Sequence, residues 1–225
     1  MRNDLVEDRI ILTRNAKIGV QFYEDFLEKI SRNEVEVIGN IVINKCKELM
    51  PLSEVSIMGS FRRGQMFSGD VDILITHPEY NNSPPSGKLG QIVNTLFSEG
   101  HLTHHLNKVE GMNINNTDTE QMATANHHKT KDVLDTFSSS STTRDSYMGV
   151  FASPTFPGKK RRIDIKFYPY RERAYAMLYF TGNGFFNRSM RLWASKEKGM
   201  ILNDHVSPKT VMLYPKNLNN FFVQM

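Results

Sequence analysis

Residues 58–75 read MGSFRRGQMFSGDVDILI, and the reading of the fold starts here. VDILITH (71–77) is apolar apart from its acid and reads as a strand. Asp70 and Asp72 stand two apart. A period of two puts both carboxylates on one face, with Val71 and Ile73 on the other. Two acids about 6–7 Å apart repel and raise each other's pKa. A divalent cation removes that penalty, and Mg²⁺ takes hard oxygen ligands, a few carboxylates together with substrate phosphates. Salt bridges with Arg62 and Arg63 are the plain alternative, and the aspartate pair alone does not choose between them.

Just upstream, VSIM (55–58) reads as a second strand that ends at Gly59-Ser60. A strand, a Gly-Ser turn and a short helix set backbone N–H groups and a hydroxyl where phosphate oxygens can be accepted. Gly59 allows close approach, Ser60 adds a donor, and Arg63 reaches an outer phosphate. The turn Ser68-Gly69 then delivers Asp70. A third carboxylate comes from IDIKFY (163–168). There Ile163, Ile165 and Phe167 alternate with Asp164 and Lys166, so Asp164 faces away from the apolar side. Asp70, Asp72 and Asp164 together could hold two Mg²⁺ ions beside a triphosphate. One would lower the pKa of a hydroxyl nucleophile and the other would steady the leaving pyrophosphate.

The flanking segments read as helices. In residues 18–30, Ile18, Phe22, Phe26 and Ile30 recur every four residues, which predicts one continuous amphipathic helix. Ser31 and Glu34 form a capping-box pattern that opens a second helix. Its stripe is Ile38, Ile41, Val42, Cys46 and Leu49, and Pro51 marks its end. NNSPPSG (81–87) is a loop. A third helix carries Leu89, Ile92, Val93, Leu96 and Phe97 and stops at Gly100. YMGVFA (147–152) is strand-like. After a turn at Thr181–Gly184, a helix over roughly 185–197 carries Phe186, Met190 and Trp193. Residues 111–144 are polar and rich in Asn, Thr and Ser, and read as an inserted, disordered loop. The pairs His104-His105 and His127-His128 lack acids or thiols at ligand spacing, so no metal role is assigned to them.

Composition narrows the class. The chain has 225 residues, 39% hydrophobic and 23% charged, which excludes fibrous and wholly disordered polypeptides. No apolar run approaches the ~20 residues of a membrane span. MRNDLVEDRI has no apolar core of a secretory signal, so a secreted protein is not expected. The lone Cys46 fits a reducing compartment and a buried helix position. With 28 Lys and Arg against 24 Asp and Glu, the chain is mildly basic. Residues 159–173, KKRRIDIKFYPYRER, concentrate the basic residues and read either as a solvated face or as a phosphate-contacting surface.

Taken together, GSFRRGQMFSGDVDILITHP, RRIDIKFYP and LYFTGNGFFNRSMR, in that order, resemble the family X DNA polymerases. IGVQFYEDFLEKISR matches the segment that precedes the polymerase palm in that family. The resemblance covers most of residues 15–110 and 147–205. It implies an α/β (α+β) fold: a nucleotidyltransferase palm with a mixed sheet at 51–175, a helical DNA-binding remnant at 1–50 and a partial nucleotide-selection subdomain at 176–225. It implies that Asp70, Asp72 and Asp164 are the metal-binding catalytic triad. Gly59, Ser60, Arg63, Ser68 and Gly69 match the residues around the triphosphate, and Lys29 stands where the family has a basic residue near the outer phosphate. Tyr179, Phe180 and Gly182 match the sugar-pocket turn. Asn187 and Arg191 match contacts to the nascent base pair and template, and Arg162 and Lys166 flank Asp164, where they can pair with the acid or touch primer phosphates.

The function so implied is template-directed gap filling in base-excision repair. The cofactors are two Mg²⁺ ions, for which Mn²⁺ could substitute, and the partners are dNTP and gapped or primed DNA, with no membrane. A nuclear location follows by analogy, with the mitochondrion as the alternative. The departures point another way. Only about seventeen residues precede Ile18, so the family's lyase activity is expected to be absent, as is its helix-hairpin-helix. Gly184 replaces an acid of the sugar-pocket turn, Asp204 and His205 stand where Glu and Tyr are usual, and no C-terminal helix is recognisable in 206–225. A catalytically weak or inactive nucleotide- and DNA-binding module, or a template-independent nucleotidyltransferase, therefore stays open.

Overall fold

The alternation in VDILITH and IDIKFY becomes two adjacent parallel strands at the centre of a mixed sheet. The computed structural model describes residues 12–113 and 145–202. In chain order its elements are α1 (Arg14–Gln21), α2 (Tyr23–Leu27), β1 (Ile30–Ser31), α3 (Arg32–Leu49), β2 (Glu54–Ile57), α4 (Gly59–Arg62), β3 (Phe67–Ser68) and β4 (Val71–Thr76). They continue with α5 (Lys88–Ser98), β5 (Leu102–His105), β6 (Ser146–Ala152), β7 (Lys160–Phe167), α6 (Arg173–Thr181) and α7 (Gly184–Lys198).

Five strands form one sheet in the order β2-β4-β7-β6-β5, and β1 pairs with β3 in a small antiparallel ribbon. β4 and β7 run parallel, and the other neighbours in the large sheet run antiparallel. One sheet face is dry. Val71, Ile73 and Ile75 of β4 and Ile163, Ile165 and Phe167 of β7 pack against Val35, Ile38, Val42 and Cys46 of α3 and against Leu89, Ile92, Val93 and Leu96 of α5. The opposite face carries a smaller cluster of Met58, Leu74, Tyr168 and Ala176, which α6 covers. The two-residue period thus sends Asp72 and Asp164 to the side away from the main core.

Several expectations are corrected. The helix read over 18–30 is broken at Phe22 into α1 and α2, and Ile30 is a strand residue paired with Ser68. A spacing of four is satisfied by two short helices in series as well as by one. Ser31 does cap α3, accepting from the Glu34 N–H. The Glu34 carboxylate, however, is spent on Arg161 and Ser153 inside the fold. On α7, Trp193 is 47% exposed, whereas Phe186 and Met190 of the same stripe are half-buried and line a hollow against α6. Leu49 and Phe97 are also exposed, where their stripes predict burial. Of the 111–144 insertion only the first residues are described, and His127, His128, Asp204, His205 and 206–225 lie outside the described residues. Among the described residues no helix is long and apolar enough to cross a membrane.

Candidate active site

The parallel register of β4 and β7 sets Asp72 directly beside Asp164, with Val71 opposite Ile163 and Ile73 opposite Ile165. Asp70 does not share the strand with Asp72, as the period of two had placed it; it sits in the turn that feeds β4, where Arg162 Nη2 lies 3.5 Å from its Oδ2. The ion-pair alternative named Arg62 and Arg63, but the cation paired with Asp70 is Arg162, from the neighbouring strand. Burial, aided by the Asp70 and Asp164 charges, pushes the Asp72 carboxyl up to about 7. Burial, aided by Asp70, pushes Asp164 up to about 6. Both shifts express negative charge gathered with too little positive charge or water to balance it.

The Gly59 turn is built around this carboxylate. Gly59 has φ +56°, a left-handed conformation, and a Cβ at that position would run into Asp72 Oδ2. The Met58 N–H donates to the Asp72 carbonyl at 2.8 Å, which lashes the turn to the strand. Ser60 Oγ and Ser68 Oγ share a 2.8 Å hydrogen bond, so the two turns that flank the acids are tied together. Arg63 Nη1 donates to the Thr181 carbonyl at 2.6 Å, linking the first turn to the end of α6.

These pieces enclose a cleft of about 580 Å³. Of the residues singled out from sequence, Lys29, Gly59, Ser60, Arg63, Gly69, Asp70, Asp72, Phe180 and Gly182 line it. Ser68 is buried behind Ser60. Asp164 is not part of that lining and joins the site through its register with Asp72. Lys166 lies 5.4 Å from the Phe180 ring and 5.6 Å from that of Tyr179, so it bridges the sheet and α6. Tyr179, Asn187 and Arg191 gather at a separate small hollow between α6 and α7. There the Asn187 amide donates to the Tyr179 carbonyl at 2.8 Å, and Arg191 lies 5.1 Å from the Tyr179 ring.

Sequence reasoning passed over several residues. Gln65, Phe67 and Asn183 also line the cleft, and Asn183 caps α7 by accepting from the Phe186 N–H. The Gly182–Asn183 peptide is cis. Asn183 before a helical stripe was a readable cap signal. The largest miss is Arg161. The run at 159–173 is split by the strand period: Arg162 and Lys166 share the Asp164 face, while Arg161 turns inward and is 2% exposed.

Among the described residues no three His, Cys, Asp or Glu side chains are drawn together into a ready-made metal cage. The donor set is hard oxygen, and its carboxyl groups are the ones whose charge is left uncompensated.

A mixed sheet with carboxylates on adjacent strands, beside a Gly-Ser turn and a cleft lined by Lys29, Arg63, Asp70 and Asp72, is the α/β fold of a nucleotidyltransferase palm. Comparison with known proteins agrees. The family model described as DNA polymerase beta palm matches residues 29–122, and the one described as DNA polymerase beta thumb matches residues 176–207. DNA polymerase lambda of Rattus norvegicus is 33% identical over 201 residues, 89% of this chain and 30% of the rat protein. The DNA-directed DNA/RNA polymerase mu of Homo sapiens is 27% identical over 216 residues, 90% of this chain and 40% of the human one. DNA polymerase lambda of Arabidopsis thaliana is 30% identical over 195 residues, 86% of this chain and 31% of that protein. The chain belongs to the family X DNA polymerases. It spans 30–40% of the length of these relatives.

Proposed function

We propose that the chain is a template-directed DNA polymerase that fills short gaps during base-excision repair. The reaction is in-line attack of a primer 3′-hydroxyl on the α-phosphate of a dNTP, with release of pyrophosphate. One observation carries this reading: Asp72 and Asp164 lie in register on adjacent parallel strands, with Asp70 at the strand entrance, beside a cleft that Lys29 and Arg63 line.

Asp70, Asp72 and Asp164 would hold the divalent ions, Mg²⁺ or Mn²⁺. When bound, such ions lower the pKa of the attacking hydroxyl and neutralise charge on the leaving phosphates. The remaining work falls to the chain. Lys29 and Arg63 place positive charge against the outer phosphates, and the Ser60 hydroxyl and the Gly59 turn let the phosphate chain approach the acids. Phe180 and Tyr179 offer ring surface to the sugar, where packing can reject an added 2′-hydroxyl. Asn187 and Arg191 contact the base pair and template from α7, and Arg162 and Lys166 face the primer strand. Nuclear residence, with the mitochondrion as alternative, belongs to the same proposal and is tested by cell fractionation.

The test is single-nucleotide incorporation by the purified chain on a gapped primer-template with Mg²⁺. Incorporation follows the template base, and Asp164→Ala lowers the rate by at least about 10³-fold. A near-wild-type rate in Asp164→Ala overturns the mechanism. Equal use of all four dNTPs whatever the template marks a template-independent transferase instead. Mg²⁺-dependent dNTP binding without incorporation marks a binding module.

A further inference from the structure

Lys29 enters the cleft from a short bridge, residues 28–31, that links α2 to α3. A lysine side chain is a point charge on a flexible stem, so the fold controls its reach mainly by fixing the backbone it grows from. That backbone is held on both sides. On the C-terminal side, Ile30 pairs with Ser68 and is buried. On the other side, Glu28 Oε2 lies 3.3 Å from Arg161 Nη1 and 2.8 Å from Lys159 Nζ.

Arg161 is itself fixed. Its Nε donates to Glu34 Oε1 at 2.8 Å and its Nη2 to Glu34 Oε2 at 3.2 Å, while Ser153 Oγ donates to the same Oε1 at 2.6 Å. Glu34 lies in the first turn of α3 and is 1% exposed. The Arg161 Nη1 also reaches the Asp25 carbonyl at 3.4 Å. Arg161 therefore stands on the strand that carries Asp164, buries its fork in α3 and extends one arm to the residue before Lys29. The fork geometry lets one guanidinium serve two carboxylates in fixed directions, which a lysine ammonium does not reproduce.

We propose that Arg161 is a positioning residue for Lys29: from its buried pairing with Glu34 it grips Glu28 and so holds the Lys29 ammonium at the phosphate end of the cleft. This rests on the reading of the cleft as a dNTP site. The sign of its consequence is distinctive. Glu28 is an anion near a site for a polyanion, so simple electrostatics makes its removal tighten dNTP binding. Positioning makes its removal weaken binding.

Glu28 is 46% exposed, so Glu28→Ala can be made without opening the core. Binding of dNTP in the presence of Mg²⁺ is measured by calorimetry, and KM and kcat on the gapped substrate. Glu28→Ala raises Kd and KM about fivefold and leaves kcat within about twofold, the pattern of lost ground-state binding. Lys29→Ala raises them about tenfold, and Glu28→Ala adds nothing further in the Lys29→Ala background, because the two act through one group. Arg161→Lys, checked for folding by thermal melting, raises KM as Glu28→Ala does. Unchanged or tighter binding in Glu28→Ala overturns the inference, as does equal weakening in both backgrounds. A normal KM in folded Arg161→Lys assigns the grip to Lys159 and overturns the role of Arg161. A wild-type chain that binds no dNTP overturns the functional proposal, and this inference with it. Binding by wild type with a flat double-mutant cycle overturns this inference alone.

Discussion

Strand β7 carries a charged site on each face, one buried and one half-buried, and they are built in opposite ways. On the core face, Arg161 meets Glu34 and Glu28 in a closed set of hydrogen bonds, so each buried charge has a partner of opposite sign. On the other face, Asp164 lies beside Asp72, and burial, aided by the Asp70 charge, pushes both carboxyls toward the protonated form. The first arrangement is complete within the chain. The second is short of positive charge, and a cation and the phosphates it brings would complete it. Three residues of separation along one strand divide a structural pairing from a reactive one, because adjacent faces of a strand meet different neighbours.

The largest effect comes from breaking the complete side. Arg161→Met leaves Glu34 buried without its partner, and chemical denaturation should show a loss of about 3–5 kcal/mol. Replacing Arg161 and Glu34 together by apolar residues of similar volume should recover much of that loss, which separates an unpaired charge from lost packing.

The incomplete side predicts the opposite response to charge. Asp72 has a native pKa of about 7 against an ordinary 3.8, so the folded chain keeps a proton that the unfolded chain releases. That contribution to stability is full below about pH 4 and is lost as the pH rises toward 7. In metal-free protein, the stability of wild type relative to Asp72→Asn should therefore fall by on the order of 2–4 kcal/mol across that range. Mg²⁺ should flatten the dependence in wild type and leave Asp72→Asn little changed. A flat metal-free profile would mean that the two faces do not differ in this way.

Gly59→Ala tests how closely the turn approaches the acids. It adds a Cβ at φ +56° against the Asp72 carboxylate, so a loss of about 2 kcal/mol in thermal or denaturant unfolding is expected, together with loss of incorporation. Ser31→Ala is the mildest change. It removes the hydroxyl that accepts from the Glu34 N–H and should cost about 1 kcal/mol without altering the pH profile, since Glu34 keeps Arg161.

Much of this site was readable before the fold. Asp70-x-Asp72 in an apolar run, Asp164 between isoleucines and the Gly59-Ser60 turn are local patterns, and strand period assigns Asp72 and Asp164 to a face, while Asp70 stands in the turn before the strand. Ser31 as a cap and Cys46 as a core residue were readable for the same reason. The break at Phe22 was not, because apolar spacing does not register a kink between two short helices in series. Trp193 misled because a helical stripe indicates a face without showing that anything covers it. Arg161 misled most. In a run of basic residues every cation looks solvent-facing, and the carboxylates that draw it inward lie more than a hundred positions away in the chain.

The order of residues by itself determined most of the helices and strands around the acids and the family, because strand alternation, caps and turns depend on neighbours a few positions apart. Only the tertiary structure decided which strands are adjacent. The parallel pairing of β4 with β7 brings Asp72 to Asp164 across the sheet, and the docking of α3 converts one arginine of a basic run into a buried clasp. Both depend on contacts between distant segments, where the free energy of packing and charge pairing, rather than local conformational preference, selects the arrangement.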